Sequence, residues 1–330
     1  MSAGALMAAE IAQAPGVFAR AASEDQTSIA RTLDLSHKRA LYTVARGSSD
    51  AAANILSYEF MRELGLPVTS LPPSVFSVGA GVAMDDTIAL VISQSGASDD
   101  LVRSATGIGA RGGVVLAITN VPGSAVEHAA HATLQMQAGP ELAVPATKSV
   151  IGSVAAGMAL IAALKPDYDA AGAATAFAAI GNHPQADALT AALLQAQHVY
   201  VIGRDTGYGA ALEVALKLKE CCALHAEAYS SSEVLHGPLQ LVTKPLLILM
   251  LDTGLADIQD SLNTAEARFR AAGCTVFRLA PADIGAPGLL PAAAAALLLC
   301  LLYPIILATA LALGHDPDRP ATLSKVTQTR

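Results

Sequence analysis

Three side chains in the stretch ALEVALKLKECCALHAEAY are spaced for proton chemistry: Glu213, Lys217 and Glu220 fall at i, i+4 and i+7 and so share one stripe of a helix. Nearly everything else on that helix is apolar and Lys219 lies off the stripe, so the polar face is narrow. A narrow face implies a helix buried nearly all round, with carboxylate and ammonium turned to a cavity where burial and neighbours tune both groups for proton transfer. The bland alternative is a solvated face carrying a weak ion pair. Further on, SSSEVLHGP sets His236 in a serine-rich loop ended by Gly237 and Pro238. Imidazole is the side chain best matched to acid–base work near neutrality, although a lone loop histidine is commonly only a surface residue. The polar C-terminal HDPDRPATLSKVTQTR carries Lys325, and such a tail is ordinarily frayed with its lysine solvated.

A second kind of chemistry is suggested by SQSGASDD, Ser93 to Asp100, which follows the apolar run DTIALVI. Ile88, Leu90, Val91 and Ile92 leave no polar side for water, so the run reads as a strand buried on both faces of a parallel sheet. Ligands of such sheets sit beyond the carboxyl ends of the strands, where free N–H groups and the positive ends of helix dipoles favour anions. Ser93 and Ser95 offer hydroxyls there, Gly96 lets the backbone come close, and Ser98 is placed as N-cap or donor for a helix beginning at Asp99 and Asp100. RGSSD, Arg46 to Asp50, ends an earlier strand with a similar set of donors, so two serine-rich loops are expected to converge on one phosphate. Taken singly, each loop is equally readable as a capped turn.

The elements that must position these residues follow one plan used twice. RALYTVARGSSDAAANILSYEFMRELG from Arg39 and HVYVIGRDTGYGAALEVALKLKECCALHAEAY from His198 each read as strand, small-residue turn and helix. TIALVIS from Thr87 matches PLLILML from Pro245, and VVLAIT from Val114 matches CTVFRLA from Cys274. Each half closes with an apolar helix, Ser149 to Leu164 and Gly288 to Gly314, and a polar connection spans Lys165 to Asp187. The alternation predicts two α/β domains with parallel sheets and right-handed crossovers.

Composition excludes several classes of function. With 330 residues and 53% hydrophobic content, the chain can bury two ordinary cores and is not disordered. Its formal charge of -8, with no Lys/Arg run, argues against a nucleic-acid partner. Cys221, Cys222, Cys274 and Cys300 form no C-x-x-C pair and have no histidine at metal spacing, so they read as small core residues of a reducing compartment. No metal constellation or dinucleotide fingerprint is present, and the expectation is no cofactor. MSAGALMAAEIAQAP has Glu10 and no basic n-region; it reads as a short amphipathic helix stopped near Pro15 rather than a signal peptide, which implies a cytoplasmic protein. The stretch Gly288 to Gly314 is the one membrane candidate, but Pro304 interrupts it and no aromatic or basic anchors flank it, so a core helix is expected.

Several motifs in order carry a resemblance: SQSG, NVPGS at Asn120 to Ser124, ATKS at Ala146 to Ser149, ALKLKE at Ala215 to Glu220, HAEAY at His225 to Tyr229, LHGP at Leu235 to Pro238, and P-x-x-L-x-K at Pro320 to Lys325. From about Arg39 to Arg330 the chain resembles the double-SIS-domain sugar isomerase family, in particular the isomerase part of glutamine:fructose-6-phosphate amidotransferase and its stand-alone deaminase relatives. The resemblance implies flavodoxin-like three-layer αβα domains at 38–168 and 182–312, after an N-terminal helical segment at 1–37 and before a tail at 313–330 that closes over the active site. It implies that Gly47, Ser48, Ser49, Ser93, Gln94, Ser95 and Ser98 hold a sugar phosphate and that Val144 touches the sugar through its backbone. Glu220 matches the base that moves a proton between C1 and C2, and Lys217 and Lys325 match lysines beside the reacting carbons, Lys325 being the candidate for an imine with the open-chain ketose. His236 matches the group that assists ring opening, supplied in this family from the other subunit of a homodimer.

Two departures bear on the reaction. The chain opens MSAGAL with Ser2 where a glutamine-hydrolysing domain would carry a catalytic cysteine, and Arg46 stands where the synthase has cysteine. The expectation is therefore deamination: glucosamine 6-phosphate and water to fructose 6-phosphate and ammonia. The alternatives are an isomerase or deglycase acting on another amino or N-substituted hexose 6-phosphate, an ammonia-dependent synthase, and a non-catalytic phosphosugar sensor. A sensor has no need of Glu220, His236 and Lys325 together.

Overall fold

The computed structural model describes residues 2–325. By compactness the chain divides into two units, one of Gly16–Glu141 and Lys148–Ala174, the other of the residues up to Pro15 together with Leu142–Thr147 and Thr175–Lys325.

The chain begins with α1 (Ala5–Ala22) and α2 (Thr27–Leu33). Contrary to the sequence expectation, α1 does not stop near Pro15 but runs seven residues beyond it. Proline in a helix interior removes one backbone hydrogen bond and costs about 3 kcal/mol. Val17, Phe18 and Ala21 beyond it are all fully buried. Burying a Val or Phe side chain contributes about 1.5–3 kcal/mol, so packing outweighs the local penalty.

In the first unit the elements are β1 (Ala40–Val44), α3 (Gly47–Leu64), β2 (Val68–Ser70), α4 (Ser74–Ser77), β3 (Thr87–Ser93), α5 (Asp99–Gly109), β4 (Val114–Thr119), α6 (Ala125–His128), β5 (Ala132–Gln135) and α7 (Lys148–Leu164). The strands pair in parallel in the order β2-β1-β3-β4-β5. All seven residues of β3 are buried, as its unbroken apolar pattern requires of a strand covered on both faces. On one face α5 buries Leu101, Ala105 and Ile108, a helical i, i+4, i+7 set, against Val91, Val115 and Ala117. The apolar α7 lies against α3 closely enough that a Cβ at Gly157 would come within 2.4 Å of Leu56.

In the second unit α8 (Ala174–Ala178) and α9 (Ala186–Gln195) lead into β6 (His198–Gly203), α10 (Thr206–Cys222), β7 (His225–Ser230), β8 (Leu247–Leu251), α11 (Gln259–Ala271), β9 (Thr275–Leu279) and α12 (Pro291–Ala312). The sheet is again parallel, in the order β7-β6-β8-β9, which repeats the order of the first four strands of the other sheet without its fifth, so the twice-used plan of the sequence is real. Tyr200, Ile202, Ile248, Met250, Leu262 and Phe269 form the core under α11. On the opposite face α10 packs beneath α12. Helix α12 is long and apolar enough to cross a membrane by length and composition, yet 83% of its most apolar window is buried in this unit. Pro304 is accommodated because it occupies an exposed position among buried neighbours. Cys221, Cys222 and Cys300 are buried and Cys274 is half-buried.

Candidate functional site

The sheet order of the first unit reverses between β1 and β3, and the two serine-rich loops leave the carboxyl ends of those adjacent strands. Residues Gly47, Ser48 and Ser49 form the first turn of α3, where the Ser49 amide donates to the Arg46 carbonyl at 3.1 Å. Ser98 stands at the N-cap of α5, but its hydroxyl makes no cap hydrogen bond. Ser93 is buried, and its Oγ accepts from the Gly96 amide at 3.2 Å. The Ser95 Oγ accepts from the Ala97 amide at 3.3 Å. Gly96 has φ +61°, and a Cβ there would meet Ser124 Oγ at 2.2 Å and Thr119 Oγ1 at 2.9 Å, so only glycine lets this turn sit on the loop that leaves β4. That third loop is tied in by the Asn120 amide donating to the Gln94 carbonyl at 3.3 Å and the Val126 amide donating to the Gly96 carbonyl at 2.9 Å.

Convergence of the two serine loops, expected from the sequence, is made concrete by an ion pair the sequence did not reveal. The Arg46 Nε donates to Asp100 Oδ2 at 2.9 Å, tying the entrance of α3 to the first turn of α5. Burial pushes the Asp50 carboxyl up, with Arg46 pulling it back down. Serine hydroxyls, the first turns of two helices and a half-exposed guanidinium thus lie together beyond the carboxyl ends of β1 and β3. Val144, also expected to touch ligand, is half-buried in the segment Leu142–Thr147 that belongs to the second unit.

In the second unit the Glu213–Lys217–Glu220 stripe is real, and the helix that carries it is largely buried, as its narrow polar face implies. Lys217 Nζ lies 3.3 Å from Glu213 Oε1 and 2.6 Å from Glu220 Oε2. Glu213 and Lys217 side chains are 0% exposed whereas that of Glu220 is 27% exposed. Glu220 reaches a cavity, whereas Glu213 is buried and accepts from the Tyr303 hydroxyl of α12 at 3.2 Å. Burial alone would lower the Lys217 pKa, but Glu213 and Glu220 overcome it and hold the ammonium above the ordinary lysine range. Lys217 is thus held as a cation between two carboxylates and orients that of Glu220. Burial also pushes the adjacent Cys221 thiol up to about 12 despite the pull of Lys217, which leaves it no thiolate character.

The cavity beside Glu220 has a volume of about 520 Å³ and is lined by Lys219, Glu220 and Cys221 on one side and Arg319, Pro320 and Leu323 on the other. Lys219, off the stripe as expected, nonetheless lines it, with Nζ donating to the Ala226 carbonyl at 3.1 Å. The C-terminal segment is thus not frayed where it passes Glu220. Asp318 accepts from the Leu6 and Met7 amides at 2.8 and 2.9 Å, and Asp316 from the Gly4 amide at 3.0 Å. Two carboxylates thereby satisfy orphan donors at the start of α1. Sequence offers no signal for this, since the partners lie more than 300 residues apart. Lys325 is half-buried at the end of the described chain; residues 326–330 of the expected tail lie outside it. His236 ends a short 3₁₀ turn, Glu233–His236, and is exposed, with Gly237 at φ 145° after it.

Residues 34–163 and 192–272 match the SIS domain. An isomerizing glutamine–fructose-6-phosphate aminotransferase of Aeropyrum pernix is 31% identical over 324 residues, covering 86% of this chain and 50% of that protein. The chain thus spans about half the length of the curated relatives it matches. Among solved structures, a provisionally assigned phosphosugar isomerase from Silicibacter pomeroyi DSS-3 superposes with TM-score 0.84 at 33% identity, covering 94% of this chain and 99% of that one. The C-terminal domain of glucosamine-fructose-6-phosphate aminotransferase from Francisella tularensis has TM-score 0.78 at 23% identity, covering 94% and 97%. The glucosamine-6-phosphate deaminase of Thermotoga maritima has TM-score 0.76 at 20% identity, covering 98% and 100%.

Proposed function

Because this chain belongs to the SIS domain family, we propose that it is a phosphosugar isomerase of the deaminating kind, converting glucosamine 6-phosphate and water to fructose 6-phosphate and ammonia. The observation that carries the reading is Glu220: its carboxylate is anchored at 2.6 Å by a buried ammonium and still reaches a cavity of sugar size. An oriented carboxylate of that kind is what a proton transfer between neighbouring carbons needs.

In this reading the sugar phosphate is held by the hydroxyls of Ser48, Ser49, Ser95 and Ser98, by Gln94 and by the leading amides of α3 and α5, with Ser93 shaping the loop through Gly96. His236 assists opening of the ring from the other subunit of a homodimer. Glu220 takes the proton from C2 of the open-chain aldehyde and returns it to C1, while a second proton passes from the amine nitrogen to the C1 oxygen, so that the aldehyde becomes a CH2OH group and the C2 amine an imine. Water adds to that imine and ammonia leaves, giving the ketose. Mass action favours hydrolysis, since water greatly exceeds ammonia in any ordinary solution. Val144 contacts the sugar through its backbone, and Lys325 serves the open-chain ketose at the end of a segment that lines the Glu220 cavity.

Incubation of the protein with glucosamine 6-phosphate, following ammonia and fructose 6-phosphate together, tests the proposal. Equal release of both is expected. Tight binding with protection against thermal unfolding but no product would overturn it in favour of a sensor. Ammonia from a different phosphorylated amino sugar, or faster formation of glucosamine 6-phosphate from fructose 6-phosphate and ammonium, would replace the stated substrate or direction.

A further inference from the structure

The first helix carries a buried carboxylate that the proposed chemistry does not use. Glu10 is only 4% exposed, and its Oε1 accepts from two consecutive backbone amides, those of Leu142 and Ala143, the latter at 3.2 Å. Both amides lie in Leu142–Thr147, a stretch without helix or strand, immediately before Val144. No ladder hydrogen bonds hold such a stretch, so its conformation depends on whatever satisfies its N–H groups. Two amides on one charged oxygen fix two successive peptide planes, and charge-assisted bonds of this kind are about twice as strong as neutral ones. The helix that presents Glu10 is itself held at its start by Asp316 and Asp318, so the acceptor is attached to a fixed element.

We infer that Glu10 is a positioning residue: it clamps the Leu142–Ala143 backbone and so presents the Val144 backbone to the sugar. The inference rests on the reading in which Val144 contacts the substrate. It asks nothing of the serine loops, which hold the phosphate, and this separates sugar positioning from anion binding.

The test compares Glu10→Ala, Glu10→Gln and Glu10→Asp. Glutamine keeps an acceptor oxygen at the same reach, whereas aspartate keeps the charge but withdraws it by one methylene. Expected for Glu10→Ala is hydrogen exchange at the Leu142 and Ala143 amides faster by about tenfold or more, since both lose their acceptor. Its KM for glucosamine 6-phosphate rises by about tenfold or more, as misplaced positioning groups do. Inhibition by inorganic phosphate changes by less than about twofold, because the serine loops are untouched. Glu10→Gln recovers most of the KM, and Glu10→Asp resembles the alanine variant, which preserves the test should alanine fail to fold. Unchanged exchange at both amides, or equal weakening of sugar phosphate and inorganic phosphate, would overturn the inference. If the wild-type protein turns over no amino sugar phosphate, the functional reading fails by itself, and the exchange rates still decide whether Glu10 holds the segment.

Discussion

Replacing Lys217 by methionine tests the idea that a buried cation organises the α10 site. Lys217 is 0% exposed and sits 3.3 Å from Glu213, itself 0% exposed. At an effective dielectric constant of about 20, a pair at that distance attracts by about 5 kcal/mol, against a dehydration cost of several kcal/mol per ion. Glu220, at 27% side-chain exposure, is partly screened by solvent and adds less. Methionine fills the aliphatic volume but strands the Glu213 charge, an effect worth about 3–5 kcal/mol. For a unit of this size each kcal/mol moves the melting temperature by about 2–4 °C, so its transition should fall by about 6–20 °C. Calorimetry must resolve that unit's transition, because a two-unit chain need not unfold in one step. The double variant Glu213→Gln with Lys217→Met removes both charges while leaving an acceptor for Tyr303, and should recover at least about half of the loss. The pH dependence has a definite sign. A lysine whose folded pKa lies above its ordinary value near 10.5 stabilises fully below that value and loses the contribution as pH rises through the higher folded one. The Lys217 contribution to wild-type stability should thus be fully present below about pH 10.5 and shrink above it. A single variant that loses less than about 1 kcal/mol, or a double variant no better than the single, would refute the reasoning.

Other expectations separate the roles of the two loops and the base. Glu220→Gln should lower turnover by about 10²–10⁴-fold with phosphosugar affinity nearly unchanged, while Ser95→Ala should weaken affinity by about tenfold with turnover nearly unchanged; steady-state kinetics beside calorimetric binding checks the split. Gly96→Ala places a methyl group 2.2 Å from Ser124 Oγ at φ +61° and should cost about 1–3 kcal/mol and most phosphate binding; denaturant unfolding and inorganic phosphate titration measure the two. If His236 serves the neighbouring subunit, inactive His236→Gln and Glu220→Gln proteins mixed through subunit exchange should regain about a quarter of wild-type activity, since half the dimers are mixed and each has one intact site. No recovery despite demonstrated exchange would confine His236 to its own chain.

Much of this was legible in one dimension. Ile88 to Ile92 announced a strand buried on both faces, the repeated strand–turn–helix pattern announced two parallel sheets, and the apolar stretch around Leu297 was readable as a core helix because Pro304 interrupts it and no aromatic or basic anchors flank it. The serine loops and the Glu213–Lys217–Glu220 stripe were readable too, since helix spacing places i, i+4 and i+7 on one face wherever the helix lies. Those features depend on local periodicity, which each short segment carries within itself. Which polar groups meet depends instead on how remote segments pack. Arg46 finds Asp100 through adjacent strands, Asp318 finds the start of α1 across nearly the whole chain, and Glu213 is buried where Tyr303 of α12 donates to it. Pro15 remains inside a helix for the same reason: the burial of Phe18 outweighs what the local sequence would choose. Residue types and spacing thus determined which groups were available for chemistry. The tertiary structure decided which of them are buried, paired or open to a ligand, because desolvation and long-range hydrogen bonding are properties of the packed chain alone.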